Sequence, residues 1–211
     1  MEDLPFSPAA ERNRQPILEQ LLALLPASGQ ALEIASGSGQ HAVAFAAALP
    51  GWTWQPTEPQ AGLCPLIDER ARRLGLTNVR PAQRLDVLEP RWFPDGPASQ
   101  HGFDLIYCAN LLHIAPWTCC EALMRGAVRH LRPSGRLVTY GPYLEDGVPT
   151  SEGNRLFDES LRARDPRWGL RRLEDVTRVA HAAGLRLATR QPMPANNLLL
   201  VWEPLPGTDG T

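Results

Sequence analysis

Between Ala31 and Gly141 the chain alternates between short strand-like runs and stretches of helical period, and that alternation leaves few folds open. The runs are "ALEIA" (31–35), "WTWQPTE" (52–58), "NVRPAQRLDV" (78–87), "FDLIYCAN" (103–110) and "GRLVTYG" (135–141). The fourth is the clearest, a continuous apolar run of the kind that strands show when both faces of a parallel sheet are covered. Between the runs, Ser38–Leu49 is Ala-rich, Leu63–Leu74 has helical period and stops at Gly75, and Pro116–Leu131 has proline in its first turn and "RPSG" at its end. Ahead of them, Ala10–Leu25 sets Ile17, Leu18, Leu21, Leu22 and Leu25 at helical spacing and ends at Pro26 and Gly29. Strands alternating with helices predict an open parallel sheet with helices on both faces.

After Gly141 the pattern breaks. Residues 142–170 are polar and mixed, with one helix predicted from Ser151 to Arg162. Leu173–Ala183 reads as a helix closed by Gly184, followed by two strands, "LRLATRQPM" (185–193) and "NNLLLVWEP" (196–204). The link "PAN" is too short for a crossover helix, so these two strands should pair antiparallel. The expectation is an α/β fold: a doubly wound, mostly parallel seven-stranded sheet with an antiparallel last strand. Residues 1–211 should form one domain, with 1–30 as an N-terminal helix and lid and 142–170 as an insertion on the substrate side. The stretch "RWFPDGPASQHG" (91–102) reads as a surface loop from its Pro and Gly content.

Bulk properties narrow the function. A chain of 211 residues can bury roughly 70% of its unfolded surface without a disulfide or metal staple. Its net charge of -2 leaves no general footprint for nucleic acid. All 21 basic residues are arginine, which we read as codon bias. Adjacent Cys119 and Cys120 would point about 100° apart on a helix, so even with His113 and His130 nearby they do not converge as metal ligands do. Cys64 and Cys108 complete the set, and no Cys-x-x-Cys pair is present. The N-terminus "MEDLPFSPAAERNRQ" has no apolar run of the signal-peptide kind, and no stretch approaches a membrane span. These features predict a cytoplasmic protein with reduced thiols, no membrane partner and no metal.

The stretch "ALEIASGSGQHAV" (31–43) carries most of the chemistry. Gly37-x-Gly39-x-x-Ala42 satisfies the dinucleotide pattern, and Glu58 lies at the right distance for a ribose-binding acid. The same small residues would also serve a plain tight turn. Three features favour S-adenosylmethionine (SAM) over a nicotinamide dinucleotide. Glu33, inside the first strand, can receive the ammonium of an amino-acid-like ligand, which SAM carries and NAD does not. Asp86 closes the third strand, where an adenine edge would lie if Glu58 held the ribose. A terminal antiparallel pair is not expected in a dinucleotide half-sheet.

These residues carry a resemblance. "LEIASGSGQ" is similar to the first motif of the class I SAM-dependent methyltransferases, with Ala35 in place of the first glycine. Glu58, Asp86 and "FDLIYCANLLHI" fall where that superfamily has its ribose acid, adenine acid and fourth-strand motif, and "VAHAAGLRL" resembles its late helix-to-strand step. "SPAAERNRQPIL", "DESLRARDPRWG" and "MPANNLLLV" further resemble an uncharacterised methyltransferase-like family whose animal member is methyltransferase-like protein twenty-six. The resemblance implies the fold and a SAM site, and no substrate.

The residue types supply the roles. Gly37 and Gly39, with Ala35 and Ser36 beside them, let backbone amides approach a ligand where a side chain would intrude. Glu58 can accept both ribose hydroxyls, Asp86 the adenine amino group, and the Val87 amide a ring nitrogen. The carbonyl of Asn110 could meet the ligand's ammonium, and Arg12 and Asn13 its carboxylate. The plainer readings are a solvated helix start for Arg12 and Asn13, and turn caps for the strand-end acids. "CANLLHI" lacks the Asn-Pro-Pro-aromatic signature of methylation at exocyclic amines. His113, three residues past Asn110, is either a general base beside the transferred methyl or a histidine that supports the next helix start. Trp117, Tyr140, Tyr143, Asn154 and Arg162 are the substrate-side candidates, since loops beyond the carboxyl ends of strands line the crevice of open α/β sheets. Phe157 and Trp168 read as packing. The function expected is methyl transfer from SAM to a small molecule, the alternatives being a SAM-binding module without catalysis or a NAD(P)-linked reductase.

Overall fold

The computed structural model describes residues 4–93 and 102–206. Strands β1 (Gly29–Ile34), β2 (Trp52–Glu58), β3 (Gln83–Arg84), β4 (Phe103–Ala109) and β5 (Leu131–Leu144) run parallel. Among the described residues they join β7 (Leu185–Met193) and β8 (Asn197–Pro204) in the order β3-β2-β1-β4-β5-β8-β7. β8 is antiparallel to both of its neighbours. The order reverses between β1 and β4, and that switch point opens a crevice at the carboxyl ends of the strands. The seven strands read from the sequence are those of this path. An eighth, β6 (Arg171–Arg172), adds to the end of β5 at Tyr143 and Leu144.

Two layers of helices cover the sheet. Helices α1 (Pro8–Leu24) and α2 (Gln40–Ala48) bury Ile17, Leu21 and Phe45 against Trp54, Tyr107 and Val138 on one face. On the other, α4 (Thr118–His130) and α6 (Leu173–Ala183) bury Leu123, Met124 and Val176 against Ile34, Ile106 and Trp202. Each such side chain contributes about 1.5–3 kcal/mol on full burial. Helix α3 (Cys64–Arg73) follows β2, and α5 (Glu152–Arg164) buries only Leu161. Ser7 caps α1, its hydroxyl accepting from the Ala10 amide at 3.2 Å, and Pro8 sits in the first turn where its missing N–H costs nothing.

Two expectations need correction. The third strand is far shorter than 78–87: only Gln83–Arg84 pair with β2, and Val79 makes an isolated bridge to Trp54. Pro81 cannot donate to a ladder and interrupts the run. Asp86 therefore lies in the turn beyond the strand. The stretch 91–102 is not surface at its start, because Trp92 and Phe93 are buried. Trp92 stacks on His130 with centroids 5.0 Å apart and fills a notch over Gly126, where an added Cβ would come within 1.9 Å of its ring. Residues 94–101 of that stretch lie outside the described residues.

Candidate active site

The connection from β1 to α2 is built on alternate left-handed residues. Ala35, Gly37 and Gly39 have φ of 55°, 55° and 74°. Between them, Ser36 sews the turn to β2: its amide donates to the Thr57 carbonyl at 2.8 Å, and its hydroxyl accepts from the Thr57 amide at 3.2 Å. The two glycines have different reasons to be glycine. A Cβ at Gly39 would meet the Ile67 side chain at 3.0 Å, so that position serves the packing of α3. A Cβ at Gly37 would meet nothing within 4 Å; it would project into open space. Ala35 holds a conformation that costs an L-residue roughly 1–2 kcal/mol. Ala35→Gly should therefore stabilise the protein by about 0.5–1 kcal/mol, less than the full strain because glycine gains freedom in the unfolded chain. A higher urea midpoint at unchanged slope checks this; a lower one would mean that the Ala35 methyl matters more than the strain.

Two buried acids flank the turn. Glu33 is 2% exposed and accepts from Trp54 Nε1 at 2.6 Å. Burial pushes its carboxyl up from 4.5 to about 8, against the lowering effect of that bond and of one from Ser36. Glu58 is held by the Gly37 amide at 2.9 Å and the Gln60 amide at 3.2 Å. Neither acid pairs with a cationic side chain among the described residues.

The Glu33 environment fixes a sign. Between pH 4.5 and 8 the folded protein holds a proton there that the unfolded chain has lost. Stability should fall as pH rises through that window and level off above it. One pKa unit corresponds to about 1.4 kcal/mol, so Glu33→Gln should gain on the order of 2–4 kcal/mol over wild type between pH 5 and pH 8. Urea unfolding of both proteins at each pH measures the difference, from which the other titrating groups cancel. A difference independent of pH would show Glu33 ionised in the fold.

Beyond the turn, Asp86 Oδ1 accepts from the Leu88 amide at 2.9 Å, so one oxygen caps the following turn. Val87 is buried and its carbonyl accepts from Trp92 Nε1 at 3.3 Å. Asn110 is left-handed, with φ 59°, and its amide donates to the Tyr140 carbonyl at 2.8 Å. His113 is 5% exposed and meets Phe157 edge-on with ring centroids 5.5 Å apart. A Cβ at Gly141 would lie 3.3 Å from the His113 ring and 3.6 Å from Asn110 Oδ1. Asn110, His113, Gly141 and Phe157 thus gather at the carboxyl ends of β4 and β5. Burial, and secondarily the Arg171 guanidinium, hold the His113 imidazole down at about 4, so the ring is neutral at pH 7.

The remaining candidates have the following surroundings. Arg12 is exposed and its side chain makes no hydrogen bond or ion pair among the described residues. Asn13 turns inward as a brace: its Oδ1 accepts from His41 Nε2 at 2.7 Å, and its side chain faces the Tyr140 hydroxyl. An amide oxygen only accepts, so Nε2 of His41 carries the proton and Nδ1 takes the Tyr107 hydroxyl at 3.2 Å. Trp117 lies under the Arg171 guanidinium, 5.7 Å from ring centroid to Cζ, and Arg162 pairs with Asp158 at 2.8 Å. The Tyr143 hydroxyl donates inward to Thr139 Oγ1 at 3.1 Å. Tyr143 and Asn154 do line a cavity of about 200 Å³, with Val148, Arg190, Met193 and Leu198.

Gln40 and Arg70 were not foreseen. Gln40 Oε1 accepts from the Ser7 amide at 2.6 Å and the Ser38 hydroxyl at 2.8 Å. Arg70 donates from Nε to the Ser38 carbonyl at 2.9 Å and from Nη2 to the Pro5 carbonyl. Together they strap the N-terminal segment to the glycine turn. The available signal was a glutamine as the first residue of the helix after that turn.

Strand order, an antiparallel β8 between β5 and β7, and a glycine turn at the end of β1 define a Rossmann-like methyltransferase fold. Solved structures agree. The mitomycin 7-O-methyltransferase MmcR superposes with a TM-score of 0.78 at 16% identity, over 93% of this chain and 54% of that one. An O-methyltransferase family 2 protein from Planctomyces limnophilus, solved with apigenin, gives 0.75 at 20%, over 93% and 60%. PigF, solved with SAH, gives 0.74 at 20%, over 93% and 64%. The chain spans less than two thirds of the length of these proteins, and identities this low speak for the fold alone. The chain itself belongs to the family described as "Protein of unknown function (DUF938)", which matches residues 4–204. These matches do not support the closer resemblance to methyltransferase-like protein twenty-six.

Among the described residues, no group of three or more His, Cys, Asp and Glu side chains is placed to hold a metal ion, and no helix is long and apolar enough to cross a membrane.

Proposed function

We propose that this chain transfers a methyl group from SAM to a small-molecule acceptor. One observation carries the reading: a glycine turn open at Gly37 is flanked by Glu33 and Glu58, two buried carboxyls with no cationic partner among the described residues. An ammonium at one end and a ribose diol at the other would satisfy both, so the residues present fit SAM. Glu33 and the Asn110 carbonyl would receive the ammonium, Glu58 the ribose hydroxyls, and Asp86 with the Val87 amide the adenine edge. Gly37 gives the backbone room to approach. The strapped N-terminal segment acts as a lid, and residues 142–170 form the acceptor side with the Tyr143–Asn154 cavity. SAM bound there supplies a methyl already activated on a sulfonium.

The protein's own work is then to orient and to exclude water, and orientation alone can supply roughly 7–11 kcal/mol. His113, neutral at pH 7, can take a proton from an acceptor that releases one readily. Neighbours of the same fold solved with apigenin and with SAH support a small acceptor and this cofactor. Four free, buried cysteines are compatible with a reducing cytoplasm.

Calorimetric titration tests the reading. SAM and its demethylated product S-adenosylhomocysteine should bind with NADH failing to compete. NADH binding more tightly than SAM would replace the proposal with a reductase.

A further inference from the structure

We propose that Arg171 is a positioning residue. Its guanidinium, spread over the main-chain carbonyls of Leu112 and Ala115, sets the loop that holds Asn110 and His113 at the end of β4. The inference deepens the proposed function and rests on it for the purpose of the loop; the contacts stand without it.

The loop from Asn110 to Trp117 has little to hold it from within. It starts at a left-handed asparagine and ends at an N-cap, Trp117, whose side chain caps nothing. Its one internal turn bond runs from the Ile114 amide to the Leu111 carbonyl at 3.1 Å. Three of its carbonyls are instead claimed from outside. Arg171 donates from Nε to Leu112 at 2.9 Å and from Nη2 to Ala115 at 2.7 Å. The Gly169 amide donates to His113 at 2.9 Å. Leu112 and Ala115 are buried, so their carbonyls have little access to water in place of these donors. A buried acceptor left unmet costs about 1–3 kcal/mol.

Arg171 is committed to this task. It forms no ion pair among the described residues; its third bond goes to the Arg167 carbonyl at 2.8 Å, and its plane covers Trp117. The segment behind it is fixed in turn. Arg171, in β6, pairs with Tyr143 of β5, and the Leu170 amide donates to Asp158 Oδ1 at 2.6 Å. Gly169 has φ 140°, and a Cβ there would come 2.6 Å from Arg162 Nη2. Trp168 closes a turn onto the Asp165 carbonyl at 2.9 Å and lies under Arg164. The run "RDPRWGLR" (164–171), which the cofactor site leaves unexplained, is the buckle that fastens the His113 loop to α5 and β5. The two carbonyls are met by two different nitrogens of one rigid fork, Nε and Nη2; lysine carries its three donors on a single nitrogen at the end of a flexible stem and does not reproduce that spacing.

The test reads the His113 ring by NMR in histidine-labelled full-length protein, its signal identified by loss in His113→Gln. His41, His130 and His181 serve as internal references. Arg171→Met should displace the His113 signal and leave the three reference signals in place, and millimolar methylguanidinium should restore it. Arg171→Lys should leave it displaced, and this variant carries the test if Arg171→Met does not fold. A His113 signal unmoved in both variants would overturn the proposal, as would one restored by lysine alone or one that moves in step with the three reference signals. S-adenosylhomocysteine titrated into the same wild-type sample separates the two questions. Failure to bind would sink the methyltransferase reading and leave the His113 signal to decide Arg171.

Discussion

Gly37→Val should abolish binding of SAM and S-adenosylhomocysteine in a protein that still folds. An added Cβ meets no protein atom within 4 Å, so the side chain starts into open space. The left-handed φ of 55° costs the variant at least roughly 1–2 kcal/mol, more for a β-branched residue than for alanine. The turn already tolerates that strain two residues earlier, at Ala35. In the proposed site, the space that valine enters is the space the ligand would need, beside the amide that positions Glu58. A loss of at least about 100-fold in affinity, near 2.7 kcal/mol, is expected. Calorimetry with a parallel urea melt decides it: affinity retained in a folded variant would reduce the turn to a strand-to-helix connection.

The second large effect concerns chemistry. His113→Ala should leave SAM affinity near normal and cut turnover by roughly 10²–10⁴, the range of a positioned acid or base. Because the ring charges only near pH 4, wild-type turnover should show no titration by this residue between pH 5 and 8. A screen of small nucleophiles with labelled SAM must first supply the acceptor. Full turnover in His113→Ala would make the residue a support for its loop, with transfer proceeding by proximity alone. A wild-type rate that climbs with a midpoint near 6.5 would show the ring more solvated than its burial allows.

How much of this was legible in the sequence depends on whether the cause was local. β2, β4 and α6 were readable because each is decided by its own residues: β-branched and aromatic runs, a continuous buried stretch, a glycine stop. β3 was not, because Pro81 removes a donor in a run that otherwise has strand character. β6 was invisible, since two arginines have no preference for pairing and only the end of β5 puts them there. Trp92 and Phe93 were hidden by the prolines and glycines that follow them. The glycine turn and its acids were legible as a set. That Gly39 answers to Ile67 and Gly37 to open space was not, because the two look alike in sequence. The Asn13–His41–Tyr107 chain and the Arg171 fork join residues far apart in sequence, and an arginine aimed at carbonyls leaves no pattern to read.

The position of β8 has a consequence for the order of synthesis. It lies inside the sheet, between β5 and β7, yet it is translated after both. While the ribosome is still short of Asn197, β5 has an open edge where "NLLLVWEP" will pair and β7 has no sheet to join. Exposed edges of that kind invite pairing with other chains. The nascent chain therefore passes through a window in which most of its apolar surface is made and its sheet cannot close. Ribosome-stalled chains with residue 193 just clear of the exit tunnel should be cut rapidly by protease, and chains stalled with residue 204 clear should resist. Equal resistance at both lengths would mean that β1 to β5 close up without their last neighbour.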